Sequence, residues 1–330
     1  MTRRMIGKQK AEHPQPGMLC LVLLLLFSLA LMFRRADVVV NCMRQGLALC
    51  ARAVVPSLFP FMVLSEILVC SGAGEWMTAP IAKPLRKLLG VSRTGCCAVV
   101  LGLLCGFPVG ARCAVLGYEK GTIKKEECQR VLACSSIPSS AFLISTVGAT
   151  LWQNLNFGIF LYVSAILSAL FCGFLLYVSQ KKRKKETEEN SSLSPVKIHF
   201  DAGMLPSAVR NATVNTILIC AYVVFFSTLT GTVELVLGRF AANEITHTIL
   251  ASFLELSGGV SAAASLSDHT LATLLTGFSV GWSGLSIHCQ MLSLCDRHDL
   301  SLRPYFASKL LQALTCSAMI FLFSILQSLY

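Results

Sequence analysis

GFSVGWSG, residues 277–284, opens with G-x-S-x-G, the pattern of a serine-hydrolase nucleophile elbow, with Ser279 in the nucleophile's place. An elbow needs a strand that runs into a sharp turn and then a helix, with an acid and a histidine further along the chain. The residues ahead of it, DHTLATLLT at 268–276, read instead as the start of an apolar helix. A second copy decides the matter. GFPVG at 106–110 matches GFSVG at 277–281 in four of five positions, and where one has Ser279 the other has Pro108. A residue that proline replaces in its own repeat is no nucleophile common to both copies. A shared structural cause is therefore expected, and no enzyme activity.

The chain around these copies is composed for a lipid solvent. Of its 330 residues 54% are hydrophobic and 14% charged, against roughly 45–50% and 25% in soluble domains. Its 28 Lys and Arg outnumber 17 Asp and Glu, a net +11, and gather in short clusters between apolar runs. That pattern reports membrane orientation rather than nucleic-acid binding. The 15 cysteines form no C-x-x-C and sit mostly inside apolar runs, so neither a metal nor another cofactor is expected.

A crossing helix needs roughly 20 apolar residues. Runs at 18–33, 53–71, 95–117, 157–178, 212–237, 270–293 and 311–329 qualify, giving an all-α polytopic integral membrane protein of about seven spans. The first run follows Arg3, Arg4, Lys8 and Lys10, ends at Arg34 and Arg35, and has no small-x-small cleavage site, so it reads as an uncleaved signal anchor. Two further apolar stretches, 137–151 and 248–266, are interrupted by Gly, Ser and Pro and read as re-entrant or broken segments, which need protein or a water-filled cavity around them.

The charged run QKKRKKETEENSSLSP, 180–195, separates two halves. The chain thus divides into a signal-anchor span and connector (1–45), a first membrane repeat (46–179), a basic cytoplasmic linker (180–203) and a second membrane repeat (204–330). With the N-terminus and linker both inside, the first G-F-x-V-G copy runs outward and the second inward, an inverted repeat of the kind transporters use. This arrangement leaves Lys120, Lys124, Lys125 and Arg130 on the outer side.

Paired glycines with Pro108 or Ser279 break helical hydrogen bonding and free backbone groups at mid-membrane, where they can meet a polar substrate. The alternative is close helix packing through small residues. The candidate substrate-binding residues are Gly106, Pro108, Gly110, Arg112, Glu255, Gly258, Gly277, Ser279 and Gly281. Glu66 and Glu255 lie in apolar surroundings and are candidates for ion or proton coupling, or for protonated, hydrogen-bonded carboxyls. Arg112 can pair with Glu255, meet an anionic solute, or snorkel to the headgroups. His269, beside Asp268, and His288 are weaker candidates for a proton relay.

The order PSLFPFMVLSEIL (56–68), GFPVGAR (106–112), GTIKKEECQRVLA (121–133) and ELSGG (255–259) resembles the sporulation integral membrane proteins of the YlbJ type. These are similar to the wider Gate, or nucleoside-recognition, domain group. The resemblance implies a polytopic protein of spore formation that moves a small anionic solute, dipicolinate, across a forespore membrane. It leaves open a non-transporting assembly factor that works with itself or with other sporulation membrane proteins.

Overall fold

The computed structural model describes residues 26–27, 29–183, 198–238, 243–296 and 298–328, and every regular element among them is helical. Four helices, Leu155–Lys181, Met204–Leu237, His269–Cys295 and Arg303–Leu326, are long and apolar enough to cross a bilayer. They coincide with the runs at 157–178, 212–237, 270–293 and 311–329. The run at 18–33 lies mostly outside the described residues, as does the core of the linker.

In the first half, α1 (Ala36–Leu49) passes through a π-helical turn at Cys50–Val54 into α2 (Val55–Cys70). Pro56 has no N–H to offer the Arg52 carbonyl and its ring crowds it, which accounts for the local widening. Two short helices follow, α3 (Ala73–Met77) and α4 (Ala79–Leu89), the latter with Arg86 and Lys87 in its last turn and Gly90 (φ +62°) ending it.

α5 (Arg93–Cys105) and α6 (Phe107–Glu119) were expected within one crossing, 95–117, and are instead the two arms of a hairpin. A straight helix would hold Thr94 and Gly117 roughly 35 Å apart. Here a Cβ on Gly117 would lie 3.1 Å from Thr94 Cγ2, and a Cβ on Gly102 would lie 2.9 Å from the Gly110 Cα. Gly106 turns the chain at φ +99°, a conformation that glycine alone adopts without strain.

α7 (Lys125–Cys134), the non-helical residues 135–139 and a π-helical segment (Phe142–Leu151) then run antiparallel to α8 (Leu155–Arg183). Arg130 bonds Gln180, Gly173 packs on Cys134 and Gly158 packs on Gly148. The stretch 137–151 is thus no hairpin but the far part of one broken helix, opened where Pro138 and its serine neighbours cannot continue α7.

The second half begins with α9 (Met204–Leu237), antiparallel to α1 and α2: Gly231 meets Cys42, Cys50 Sγ donates to the Cys220 carbonyl at 3.7 Å, and Asn211 Nδ2 donates to Glu66 Oε1 at 2.9 Å. α10 (Glu244–Leu254) and α11 (Leu256–Ala264) form a second hairpin with Glu255 at its tip, since a Cβ on Gly259 would lie 2.9 Å from the Ser252 nitrogen. α12 (His269–Trp282) and α13 (Gly284–Cys295) make a broken helix whose joint, Ser283 and Gly284, has φ of 72° and 79°. α14 (Arg303–Ser328) packs antiparallel on α12.

The surfaces match a lipid solvent. Along α8, Leu155, Ile159, Val163, Leu167, Phe171 and Phe174 form an exposed apolar stripe, while Ser164 and Ser168 are buried on the other face. Small and polar residues turn inward because lipid tails gain nothing from covering them and neighbouring helices can approach closely over them. The chain is a multi-pass membrane protein.

One end of the molecule is basic. Lys125 pairs with Asp299 at 2.5 Å, His298 with Glu119 at 3.1 Å, and Arg130 donates to the Gly90 carbonyl at 2.7 Å. This corrects the sequence-based placement of Lys120, Lys124, Lys125 and Arg130 on the side away from the linker: the hairpin returns to the end it came from, where Arg130 meets Gln180. Asp299 also holds the Lys125 ammonium pKa above its ordinary value. At the opposite end Trp152 packs edge-on against His269, with ring centroids 5.5 Å apart.

Candidate functional site: two hairpin tips on two helix breaks

Each hairpin tip rests on the broken helix of its own half. In the first, the Phe107 amide donates to the Ile137 carbonyl at 2.7 Å, Ser140 Oγ donates to the Leu104 carbonyl at 3.0 Å, and a Cβ on Gly106 would lie 3.0 Å from the Ser139 nitrogen. The break at 135–139 leaves backbone groups without helical partners, and the tip supplies some of them. In the second half, a Cβ on Gly284 would lie 2.9 Å from both the Glu255 Cα and the Leu256 nitrogen. Trp282 Nε1 donates to the Phe253 carbonyl at 3.1 Å beside it.

Gly106, Pro108 and Gly110 gather at the first junction. Pro108 occupies the first turn of α6, where its missing N–H removes no helical bond, and Gly110 lets α6 cross α5 at Gly102 with Ser135 wedged alongside. Glu255 and Gly258 belong to the second junction. Glu255 caps α11, its Oε2 accepting from the Gly258 amide at 2.7 Å, so the carboxylate sits on the positive end of its own helix.

Gly277, Ser279 and Gly281 lie elsewhere. The helix break expected at this copy is absent: α12 continues through all three residues, and the joint comes at Ser283–Gly284. Gly277 and Gly281 instead let α14 approach, since a Cβ on Gly277 would lie 2.7 Å from the Ser317 Cα and one on Gly281 would strike the Gln312 and Ala313 backbone. Ser279 Oγ contacts the Leu275 carbonyl at 2.7 Å and Ser252 Oγ at 2.8 Å, joining α12 to α10 within helix. The two G-F-x-V-G copies thus occupy different kinds of place, a hairpin tip and a helix seam.

Arg112 does not meet Glu255. Its guanidinium lies 3.9 Å from Glu66 Oε2 and 3.9 Å from Glu119 Oε1, distances too long for hydrogen bonds, and its Nε is buried without a hydrogen-bond partner. Glu66 is held by Asn211. His288 Nδ1 is 2.9 Å from the Tyr305 hydroxyl in a buried pair, whereas His269 begins α12 on the exposed surface at the far end.

Sequence reasoning missed Ile137 to Ser139 and Ser283 with Gly284 as junction residues, and it missed Lys309. Lys309 is fully buried in α14 and donates to the Ser136 carbonyl at 2.8 Å and to Gln312 Oε1 at 3.1 Å. Gln312 Nε2 donates to the Ala133 carbonyl at 2.8 Å. A lysine and a glutamine three apart, both on the buried face of an otherwise apolar helix, were the signal available.

No family model and no solved structure matches the chain. Among curated proteins, the sporulation integral membrane protein YlbJ of Bacillus subtilis (strain 168) is 23% identical over 309 residues, covering 84% of this chain and 76% of the relative. The chain is therefore a distant homologue of a sporulation integral membrane protein.

Proposed function

We propose that the protein is a transporter-like membrane protein of spore formation that moves a small anionic solute between two inverted repeats. The observation that carries this reading is the pair of junctions. In each half a long helix, a hairpin, a broken helix and a second long helix follow in that order, with the short helices α3 and α4 inserted before the hairpin of the first half. The Gly106 hairpin enters from the basic end and the Glu255 hairpin from the opposite end. Discontinuous helices that meet near the middle of oppositely oriented repeats are where secondary transporters bind their substrates. In this reading the basic end faces the cytoplasm, in keeping with the positive-inside rule, and 125–151 counts as a crossing. Grouping with the Gate, or nucleoside-recognition, proteins is part of the same proposal.

Arg112 supports an anionic solute. It projects from α6 with its fork incompletely engaged by the two carboxylates near it, so donors remain for a carboxylate ligand. Glu255, by contrast, is occupied as a helix cap, and a coupling role for it would require breaking that cap. The substrate role of Gly106, Pro108 and Gly110 is to let backbone approach at the first junction. Gly277, Ser279 and Gly281 act at a distance, by holding α12 on α14 and α10.

The test is uptake by purified protein in liposomes, with dipicolinate as the anionic solute and a neutral sugar as control. Uptake of dipicolinate alone, lost in Arg112→Ala, supports the proposal. Protein that is folded but moves neither solute favours an assembly role.

A further inference from the structure

The broken helix α7 presents its carbonyl end to the interior. The last four carbonyls of a helix have no partner within it, and they carry the negative end of the helix dipole. Here Val131 accepts from the Ser135 amide at 2.8 Å, Leu132 from the Ser136 hydroxyl at 2.5 Å and Ala133 from Gln312 at 2.8 Å. One step beyond, the Ser136 carbonyl accepts from Lys309 Nζ. Two of these partners come from α14, in the other half of the chain.

Carbonyls released by an unwound segment, together with the carbonyl end of a half-helix and a side-chain oxygen, are the donor set that binds a monovalent cation in broken-helix transporters. Lys309 Nζ lies among such donors, with the Ser136 carbonyl at 2.8 Å and Gln312 Oε1 at 3.1 Å. Among the described residues no carboxylate pairs with it. An ammonium shielded from water and lacking a counter-ion is retained only where dipoles replace its hydration. The Ser136 carbonyl, just past the end of α7, and the Gln312 side chain provide those dipoles directly, with the negative end of the α7 dipole behind them.

We propose that α7, residues 135–136 and Gln312 form a monovalent-cation site that the chain fills with its own Lys309 ammonium, tethered from α14. The ammonium clamps the second half onto the helix break of the first and takes the place a free sodium or potassium ion would otherwise hold. This inference does not depend on the transport reading, because its readout is the stability of the purified protein.

The test compares Lys309→Met, which keeps length and removes charge, with Lys309→Ala, which leaves the donors around an empty space. Melting of the full chain in detergent is followed in choline, sodium, potassium and methylammonium chlorides. Both variants should melt about 5 °C or more below the parent in choline. Methylammonium or one of the small metal cations should then raise Lys309→Ala and leave Lys309→Met and the parent unmoved. A Lys309→Met protein as stable as the parent would overturn the proposal, since the charge would be unnecessary. So would a Lys309→Ala protein that melts alike in all four salts. If Lys309→Ala yields folded protein only when purified in a small cation, the proposal stands. Recovery in none of the salts, with Lys309→Met folded, refutes it.

Discussion

The Phe107 amide donates to the Ile137 carbonyl at 2.7 Å, tying the tip of the first hairpin to the break in α7. In the second half the same office is performed by close approach, with Gly284 lying against Glu255. These two junctions set what each nearby side chain can do.

Gly106→Ala and Gly284→Ala should both destabilise the protein. Each glycine has a positive φ, and a Cβ would lie 3.0 Å from the Ser139 nitrogen in one case and 2.9 Å from the Glu255 Cα in the other. The backbone conformation alone costs an alanine about 1–2 kcal/mol. Thermal melting in detergent should show the loss in both variants, and parental stability in either would mean that its junction is not tight.

Gly258→Ala and Gly281→Ala should differ in sign. A Cβ on Gly258 would lie 3.5 Å from Glu255 Oε2, an ordinary contact, and alanine gains up to ~1 kcal/mol over glycine in a helix. At Gly281 the same methyl would force α14 away, at about 1–3 kcal/mol. Membrane abundance and melting temperature compare the two directly.

Much of this was legible in the sequence, and the exceptions have physical causes. Four long apolar helices could be found because lipid demands a continuous apolar run, and Ser and Gly at 248–266 foretold a segment that does not cross. The run at 95–117 misled because a buried hairpin of two 13-residue arms has the same composition as one crossing helix. Only the charge pattern gave a hint: Lys120, Lys124, Lys125 and Arg130 sat on the wrong side of the inferred topology. The match of GFPVG to GFSVG misled differently. Glycine serves both a positive-φ turn and a helix seam, and sequence does not say which.

Arg112 and Glu255 should behave as independent residues. Glu255→Ala removes a helix cap, at about 0.5–2 kcal/mol, and Arg112 shares no hydrogen-bond or ion-pair partner with it. The double variant Arg112→Ala with Glu255→Ala should therefore match the sum of the singles within about 0.5 kcal/mol. Arg112 with Glu66, 3.9 Å apart and with Glu66 buried, should show the larger coupling of the two pairs. Coupling concentrated in the Glu255 pair would contradict the site described here.

Ser279→Ala should lose about 1 kcal/mol, because it leaves the buried Ser252 hydroxyl without its partner at 2.8 Å. A fluorophosphonate probe should not label Ser279 in the folded protein, whose helix offers no elbow and no exposed hydroxyl. Stoichiometric labelling would reopen the hydrolase reading.

The most direct test of the central claim, two hairpins entering from opposite faces, is the sidedness of their bases. Lys120→Cys and Asp299→Cys at the basic end, and Asn156→Cys and Ser267→Cys at the other, can be introduced singly into a cysteine-free chain and exposed to an impermeant maleimide in intact cells and in inverted vesicles. All four positions are exposed on the protein surface. Residues 120 and 299 should react only in inverted vesicles, and residues 156 and 267 only in intact cells. Labelling of 120 and 299 from opposite sides would restore a single crossing through 95–117, and labelling of 120 and 267 from the same side would end the inverted arrangement.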